Sequence, residues 1–368
     1  GKPQAGGNAM SASETEVVDE RVAVATKHWG PRFVAQGVDL NDFNRTLARI
    51  RRWDGWCREW GVTAAEYERA AEAAEAGGRS VTSGQSWLRA SLCWHFGKFV
   101  FVQDLAQLKA ASDRTAACYA RGAWALEPPA KMVGIPYDGI TMRGIFRKPA
   151  GVTRPPVLLM IPGLDSVKEE LQATAEHFLR RGIATLAIDG PGQGEMEFER
   201  DIEPAYEKPA GAAIDWLEKR DDVEASRLGV YGVSLGGYYA VRVAATEPRV
   251  RATIELAGTY SLASQWDKRS VVSRDAFIKR SGARDEAEAR ELAKLIDMEG
   301  LGPRISRPIL VVHGKRDPIA PFEGAERLAA ETRTAELVAY EDGNHGMTNR
   351  AFESRVLMSD WMAEQLAM

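Results

Sequence analysis

The sequence predicts an α/β protein: a mostly parallel sheet covered by helices on both faces, preceded by a helical domain and interrupted late by a helical cap. Three observations predict it. From residue 133 onward, short apolar strand-like runs alternate with helix-like stretches, the grammar of a parallel sheet. Before about residue 125 no such run occurs, and that region holds seven of the ten tryptophans. Third, Gly232-Val233-Ser234-Leu235-Gly236 stands between an apolar run and a stretch of helical spacing, which puts a serine in a tight strand-to-helix turn.

The elements follow in order. Residues 1–9 read as an expression remnant ahead of Met10, and residues 1–20 as a tag and flexible start without an apolar signal segment. Residues 21–127 form the helical domain. Phe43, Leu47, Ile50, Trp53, Trp56 and Trp60 fall near helical spacing over 42–60. Thr63 with Glu66 three residues on has the pattern of a capping box opening a helix over 64–76, and Gly77-Gly78 ends it. Residues 83–111 read as one long amphipathic helix, and 112–125 as another. The aromatic residues there read as core, with one or two tryptophans roofing a pocket as the sharper alternative.

At Pro128-Pro129 the pattern changes, and 128–368 is expected to be the sheet domain. Runs at 133–137 and 140–146 flank Asp138-Gly139, a hairpin signal. Strands are expected at 157–161, 183–188, 228–233, 250–256, 308–312 and 336–340. Helices are expected near 168–181, 204–219, 235–246 and 351–366. The polar, helix-prone stretch at about 260–302 interrupts the alternation and reads as the cap.

Composition narrows the function. At 368 residues the chain has room for about two domains. A net charge of −4 gives no general attraction to nucleic acid or an anionic membrane. No apolar run is long enough to span a bilayer. Cys57, Cys93 and Cys118 lie among apolar neighbours without metal-ligand spacing, so they read as buried reduced thiols of a cytoplasmic protein.

The chemistry starts at Ser234. A serine flanked by glycines two positions to either side matches the nucleophile elbow of an α/β-hydrolase; a glycine-rich turn with an incidental serine is the plain alternative. A serine hydroxyl needs a base, and the base needs an orienting acid, arriving in chain order serine, acid, histidine. Only His313 and His345 follow Ser234. His313 ends a strand run, whereas His345 lies in a Gly-Asn-His-Gly loop after the last strand and is the expected base. Asp317, just past a strand end, is the expected acid, and Asp342, in an Asp-Gly turn, competes with it. Amides of Leu164, after Ile161-Pro162-Gly163, and of Leu235 are the expected oxyanion donors. The loop Asp189-Gly190-Pro191-Gly192-Gln193-Gly194 lacks a P-loop lysine and dinucleotide spacing. It is read as shaping the sheet edge near the elbow. No metal and no cofactor is expected.

Gly163-Leu164-Asp165-Ser166 with Lys168-Glu169-Glu170, the Asp189–Met196 loop and Ser234-Leu235-Gly236-Gly237 resemble the dihydroxy-pseudooxynicotine hydrolases and the fungal pigment hydrolases that shorten polyketide chains. The tryptophan-rich first region is similar to that family's N-terminal domain. The resemblance implies cleavage of a carbon–carbon bond beside a carbonyl by a Ser-Asp-His triad, on a small molecule, often by a homodimer. It also implies substrate contacts from Trp266, Asp267, Tyr260 and Asp165. One departure stands out. Where the nicotine-degrading members carry a substrate-holding glutamate shortly after Tyr-Trp-Asp, this chain has Gln265-Trp266-Asp267-Lys268-Arg269-Ser270 and no clear counterpart. The basic pair there suits a more acidic substrate or simply faces solvent. A carboxylesterase or thioesterase with the same triad is the alternative activity, and a non-catalytic binding protein on the same scaffold a more distant one.

Overall fold

The computed structural model describes residues 19–367. The expected remnant and flexible start therefore lie outside the described residues, apart from Asp19 and Glu20.

The first segment is all helical: α1 (Glu20–Gln36), α2 (Leu40–Leu47), α3 (Trp56–Ala76), α4 (Ser80–Lys98) and α5 (Leu105–Gly122). Its boundaries differ from the sequence expectation in three places. Residues 42–60 are not one helix: α2 ends at Leu47, and a short 3-10 turn, Trp53–Gly55, leads directly into α3. Thr63 therefore lies inside α3 and caps nothing. Its hydroxyl bonds that of Thr46 at 2.6 Å and accepts from Arg49 Nη2 at 2.9 Å, while Glu66 pairs with Arg45. Gly61 lies within α3, where its missing Cβ makes room for a neighbour: a Cβ there would stand 2.7 Å from the Trp94 ring. The long helix expected over 83–111 breaks after Lys98. Phe99, Val100 and Phe101 are all buried, which a continuous helix could not achieve on one face. Asp104 then starts α5 as an N-cap, accepting from the Gln107 N–H at 3.1 Å. Helix α1, which carries Pro31 within it, falls in the expected helical domain but was not singled out as an element.

Among the described residues the sheet has eight strands: β1 (Ala130–Tyr137), β2 (Ile140–Arg147), β3 (Val157–Ile161), β4 (Ala184–Asp189), β5 (Leu228–Val233), β6 (Val250–Leu256), β7 (Ile309–Gly314) and β8 (Ala335–Tyr340). Their order is β1-β2-β4-β3-β5-β6-β7-β8. The β1–β2 and β2–β4 pairs are antiparallel, and every other pair is parallel. Asp138 and Gly139 form the hairpin turn with φ of 42° and 79°, which is why an Asp-Gly pair sits there.

Helices α6 (Gln172–Leu179), α7 (Glu207–Glu218), α8 (Leu235–Thr246), α9 (Val271–Arg280), α10 (Glu286–Ala293), α11 (Phe322–Glu331) and α12 (Ala351–Ala367) complete the chain. The expected cap region holds α9, α10 and a 3-10 turn, Ala263–Lys268. Strand β3 shows how the two sheet faces are served. Val157, Leu159 and Ile161 face one apolar cluster, and Leu158 and Met160 face the other with α6 and α12. The first cluster runs without a break into the helical segment, through Trp29, Phe33, Trp56, Trp60, Phe96 and Phe99. Phe33 stacks on Phe96 at 4.0 Å and meets Trp60 edge-on at 5.4 Å; each such pair adds about 0.5–1.5 kcal/mol beyond its buried area. Most of the N-terminal tryptophans are thus core residues. Cys57, Cys93 and Cys118 are buried and free, and burial pushes the Cys57 and Cys93 thiols up to about 12.

Candidate active site

Ser234 stands between the end of β5 and the start of α8 with φ 58° and ψ −124°, a conformation that costs a non-glycine residue about 1–3 kcal/mol. The flanking glycines allow it. A Cβ on Gly232 would stand 1.8 Å from the Gly236 carbonyl oxygen, and one on Gly236 would stand 2.4 Å from the Ile161 and Pro162 oxygens. The turn lifts Ser234 above the sheet, where two distant segments meet it. His345 Nε2 lies 2.9 Å from Ser234 Oγ, and His345 Nδ1 lies 2.8 Å from Asp317 Oδ2. With Nδ1 protonated toward the carboxylate, Nε2 is left to accept the serine proton.

Asp317 is fixed from its other side. Its Oδ1 accepts from the Ile319 and Ala320 amides at 2.8 and 2.9 Å. Burial pushes this carboxyl up, but the facing His345 and His313 outweigh it and hold the pKa far below the carboxylate range. His313, fully buried in β7, donates to the Ala320 oxygen at 2.7 Å and lies 3.4 Å from Asp317 Oδ2. It shapes the Asp317 loop. Asp342, the competing acid, is instead engaged by Arg350 on the surface, with Nε 3.0 Å from Oδ1.

The loop after β3 backs onto the elbow. A Cβ on Gly163 would stand 2.9 Å from the Val233 oxygen and 3.5 Å from the Leu235 nitrogen. The Gly163 amide is occupied by Ser166 Oγ at 2.6 Å, and the Leu164 oxygen accepts from Arg280 Nη1 at 3.0 Å. The Leu164 and Leu235 amides have no acceptor among the described residues. Gln193, from the Gly-Pro-Gly-Gln loop, donates to the Pro162 oxygen at 2.7 Å and accepts from the Gly190 amide and the Tyr206 hydroxyl. That loop therefore buttresses the backbone beside the elbow. The supporting roles of Ser166 and Arg280 were not anticipated: Ser166 acts through the Gly163 amide, and Arg280 through the Phe99 and Leu164 oxygens and Glu197, contacts that leave no spacing signal.

A cavity beside Ser234 is lined by Asp165, Tyr231, Leu256, His345 and residues of α1 and α12, notably Arg32 and Arg355. Arg32 binds Asp165 at 2.9 Å and Glu170 at 2.6 Å, and Glu170 also receives His95. The helical segment thus supplies one wall of the site, through a charged residue and not a tryptophan. Three expected substrate contacts lie elsewhere. The Trp266 indole packs edge-on against Phe277 and donates to Glu286 at 2.9 Å. Asp267 is exposed and paired with Arg290, and the Tyr260 hydroxyl donates to Glu331 at 2.6 Å. None of the three lines this cavity, whereas Asp165 does. The Lys268-Arg269 pair divides: Lys268 faces solvent and Arg269 is buried.

Glu169, Asp189 and Glu195 converge as a metal site would, but Lys168 Nζ lies among them at 2.7, 2.8 and 2.6 Å. These carboxylates hold the Lys168 pKa well above its usual value although burial lowers it. The cluster is an internal ion network that fixes the loop leading into α6 to the end of β4.

A sheet of this order, with a serine on a strained turn after a central strand, defines an α/β-hydrolase, a hydrolytic enzyme. The chain belongs to the FrsA-like esterases, a family whose profile, described as "Esterase FrsA-like", matches residues 38–367. The 2,6-dihydropseudooxynicotine hydrolase of Paenarthrobacter nicotinovorans is 32% identical over 342 residues, covering 92% of each chain. A crystal structure of the 2,6-dihydroxy-pseudo-oxynicotine hydrolase matches with a TM-score of 0.84 at 31% identity, over 92% of this chain and 95% of that one. The 20-hydroxy-prefusarin hydrolase of Gibberella moniliformis is 31% identical over 243 residues, 62% of this chain and 58% of its own. AbyA5 shares the fold at 20% identity and a TM-score of 0.73, over 94% of this chain and 99% of its own.

Proposed function

We propose that the enzyme hydrolyses a carbon–carbon bond beside a carbonyl in a small molecule of the aryl ketone or β-diketone type. His345, held by Asp317, takes the Ser234 proton, and Oγ bonds to the carbonyl carbon. The amides of Leu164 and Leu235 bind the oxygen that becomes negative. Collapse re-forms the carbonyl and breaks the C–C bond; the electron pair leaves on the departing carbon as an enolate or electron-rich ring, and His345 returns the proton to it. Water, deprotonated by His345, then releases the acid from the acyl-enzyme and restores Ser234.

The 2.9 Å contact between His345 Nε2 and Ser234 Oγ carries the hydrolytic part of the proposal. The likeness over 92% of the chain to a hydrolase named for a dihydropseudooxynicotine supports the carbon–carbon part. Ester hydrolysis is the second reading, favoured by the family's description as esterases. Product analysis over aryl ketones, β-diketones and matched esters separates the two. Fluorophosphonate labelling should require Ser234, and Ser234→Ala should abolish turnover without unfolding the chain; near-normal activity in that variant sinks the mechanism. The proposal includes a homodimer in the cytoplasm. Three buried free thiols support a reducing compartment, and light scattering tests the dimer.

A further inference from the structure

Arg269 closes the 3-10 turn of the cap, where its amide donates to the Gln265 and Trp266 oxygens at 3.1 and 3.2 Å. It is 8% exposed, and its Nε and Nη1 are buried without any hydrogen-bond partner. Among the described residues it forms no salt bridge. The carboxylates around it are engaged elsewhere: Asp267 by Arg290, Asp165 by Arg32, and Asp317 by His345 and two amides. Asp165 and Asp317 nevertheless lie near enough to act on its charge. One lines the cavity beside Ser234, and the other orients His345. Burial draws the Arg269 pKa down to about 10, so the guanidinium still carries its proton at neutral pH. Other buried arginines of this chain, Arg32, Arg147 and Arg280, each hold a carboxylate. An unpaired buried guanidinium is costly, and here the exception, although it does not itself line the cavity, stands within electrostatic reach of the cavity residue Asp165 and of Asp317.

We infer that Arg269 is a specificity residue that receives a carboxylate of the substrate, so that the enzyme acts on acid-bearing acyl compounds. This deepens the proposed function and rests on Ser234 as the reacting centre. A guanidinium presents a planar fork of N–H donors that matches the two oxygens of a carboxylate. A neutral substrate would leave the buried cation without a partner, whereas a carboxylate completes the pair.

The test uses the full enzyme with two scaffolds, an aryl ketone and a phenyl ester, each bearing a carboxylate or a primary carboxamide on its acyl chain. The readout is the acid-to-amide ratio of kcat/KM. The expected ratio exceeds about tenfold in the wild type and falls toward unity in Arg269→Gln, with Arg269→Lys between them. A ratio unchanged by Arg269→Gln on both scaffolds overturns the inference. An acid preference that depends on Arg269 with esters, while neither ketone is cleaved, supports Arg269 and overturns the carbon–carbon reading alone. A readout free of turnover is protection of Ser234 from fluorophosphonate by glutarate or benzoate. Protection of the wild type but not of Arg269→Gln supports the inference, and equal protection of both overturns it. Thermal melting should show Arg269→Gln at or above the wild-type Tm, because an unpaired buried charge is removed. A large fall in Tm with an unchanged ratio marks a structural residue and overturns the assignment.

Discussion

Glu255 lies one residue from the end of β6, beneath the elbow, and is 1% exposed. Its Oε1 accepts the Gly258 amide, and a Cβ on Gly237, in the first turn of α8, would stand 2.9 Å from that oxygen. Burial pushes its pKa up to about 7 from an ordinary 4.5; His313 and the Gly258 amide pull it down by less. The sign follows from linkage. Below the unfolded value the carboxyl is protonated in both states and costs nothing. As pH rises from 4.5 toward 7 the unfolded chain releases this proton while the native chain keeps it, so stability falls. The loss is under about 1 kcal/mol at pH 5 and about 3 kcal/mol at pH 8. Glu255→Gln keeps the accepting oxygen and cannot ionise. It should therefore be nearly neutral at pH 5 and should stabilise by about 3 kcal/mol at pH 8, or about 4 °C in Tm for a chain of this length unfolding as one unit. Paired thermal melts of wild type and variant at the two pH values measure this. A gap that is the same at both, or that closes at pH 8, refutes the reasoning: the carboxyl would then ionise normally, and any effect would be packing.

Other perturbations probe the remaining contacts. In Asp317→Asn the oxygen side can keep the Ile319 and Ala320 amides, so the NH2 faces His345 Nδ1 and forces the tautomer whose Nε2 bears the proton. That imidazole cannot take the serine proton, and kcat should fall by about 10⁴-fold with the fold retained. Gly163→Ala places a Cβ 2.9 Å from the Val233 oxygen and should push the β3 loop from the elbow, lowering kcat by about 10²-fold more than it changes KM. Lys168→Met leaves Glu169, Asp189 and Glu195 facing one another and should cost about 3–5 kcal/mol in urea unfolding near pH 7. The cost should shrink in acid, where the crowded Glu169, already raised by burial, takes up a proton.

The sheet was legible because its strands are short apolar runs set off by glycine, proline and polar turns, and both patterns are local. All eight strands were expected near their observed positions. The helical segment was legible in kind and misread in its boundaries, for a physical reason. Spacing alone extends a helix through 83–111, but Phe99, Val100 and Phe101 gain more from burial on several sides than from continuing the helix. At Thr63 a capping pattern was real as sequence and empty as structure, since α3 had already begun about two turns earlier and the hydroxyl found Thr46.

At the site, what could be read in advance were the residues that a backbone constraint marks: glycines around Ser234, Gly163 before Leu164, and the loop glycines around His345. A serine at positive φ requires such neighbours, and the requirement leaves a spacing that survives in the sequence. Charge partnership leaves no such trace. Arg32 and Glu170 are separated by 138 positions and meet only because α1 crosses the end of α6's approach loop, so nothing local announces the wall they build. Arg269 is the sharper case. As half of a Lys-Arg pair it is indistinguishable from Lys268, and only the fold turns one toward water and the other inward. Its lack of a carboxylate becomes visible only once every nearby acid has been assigned to another group. A buried cation left over after that assignment points outward from the chain, to a charge that the substrate must bring.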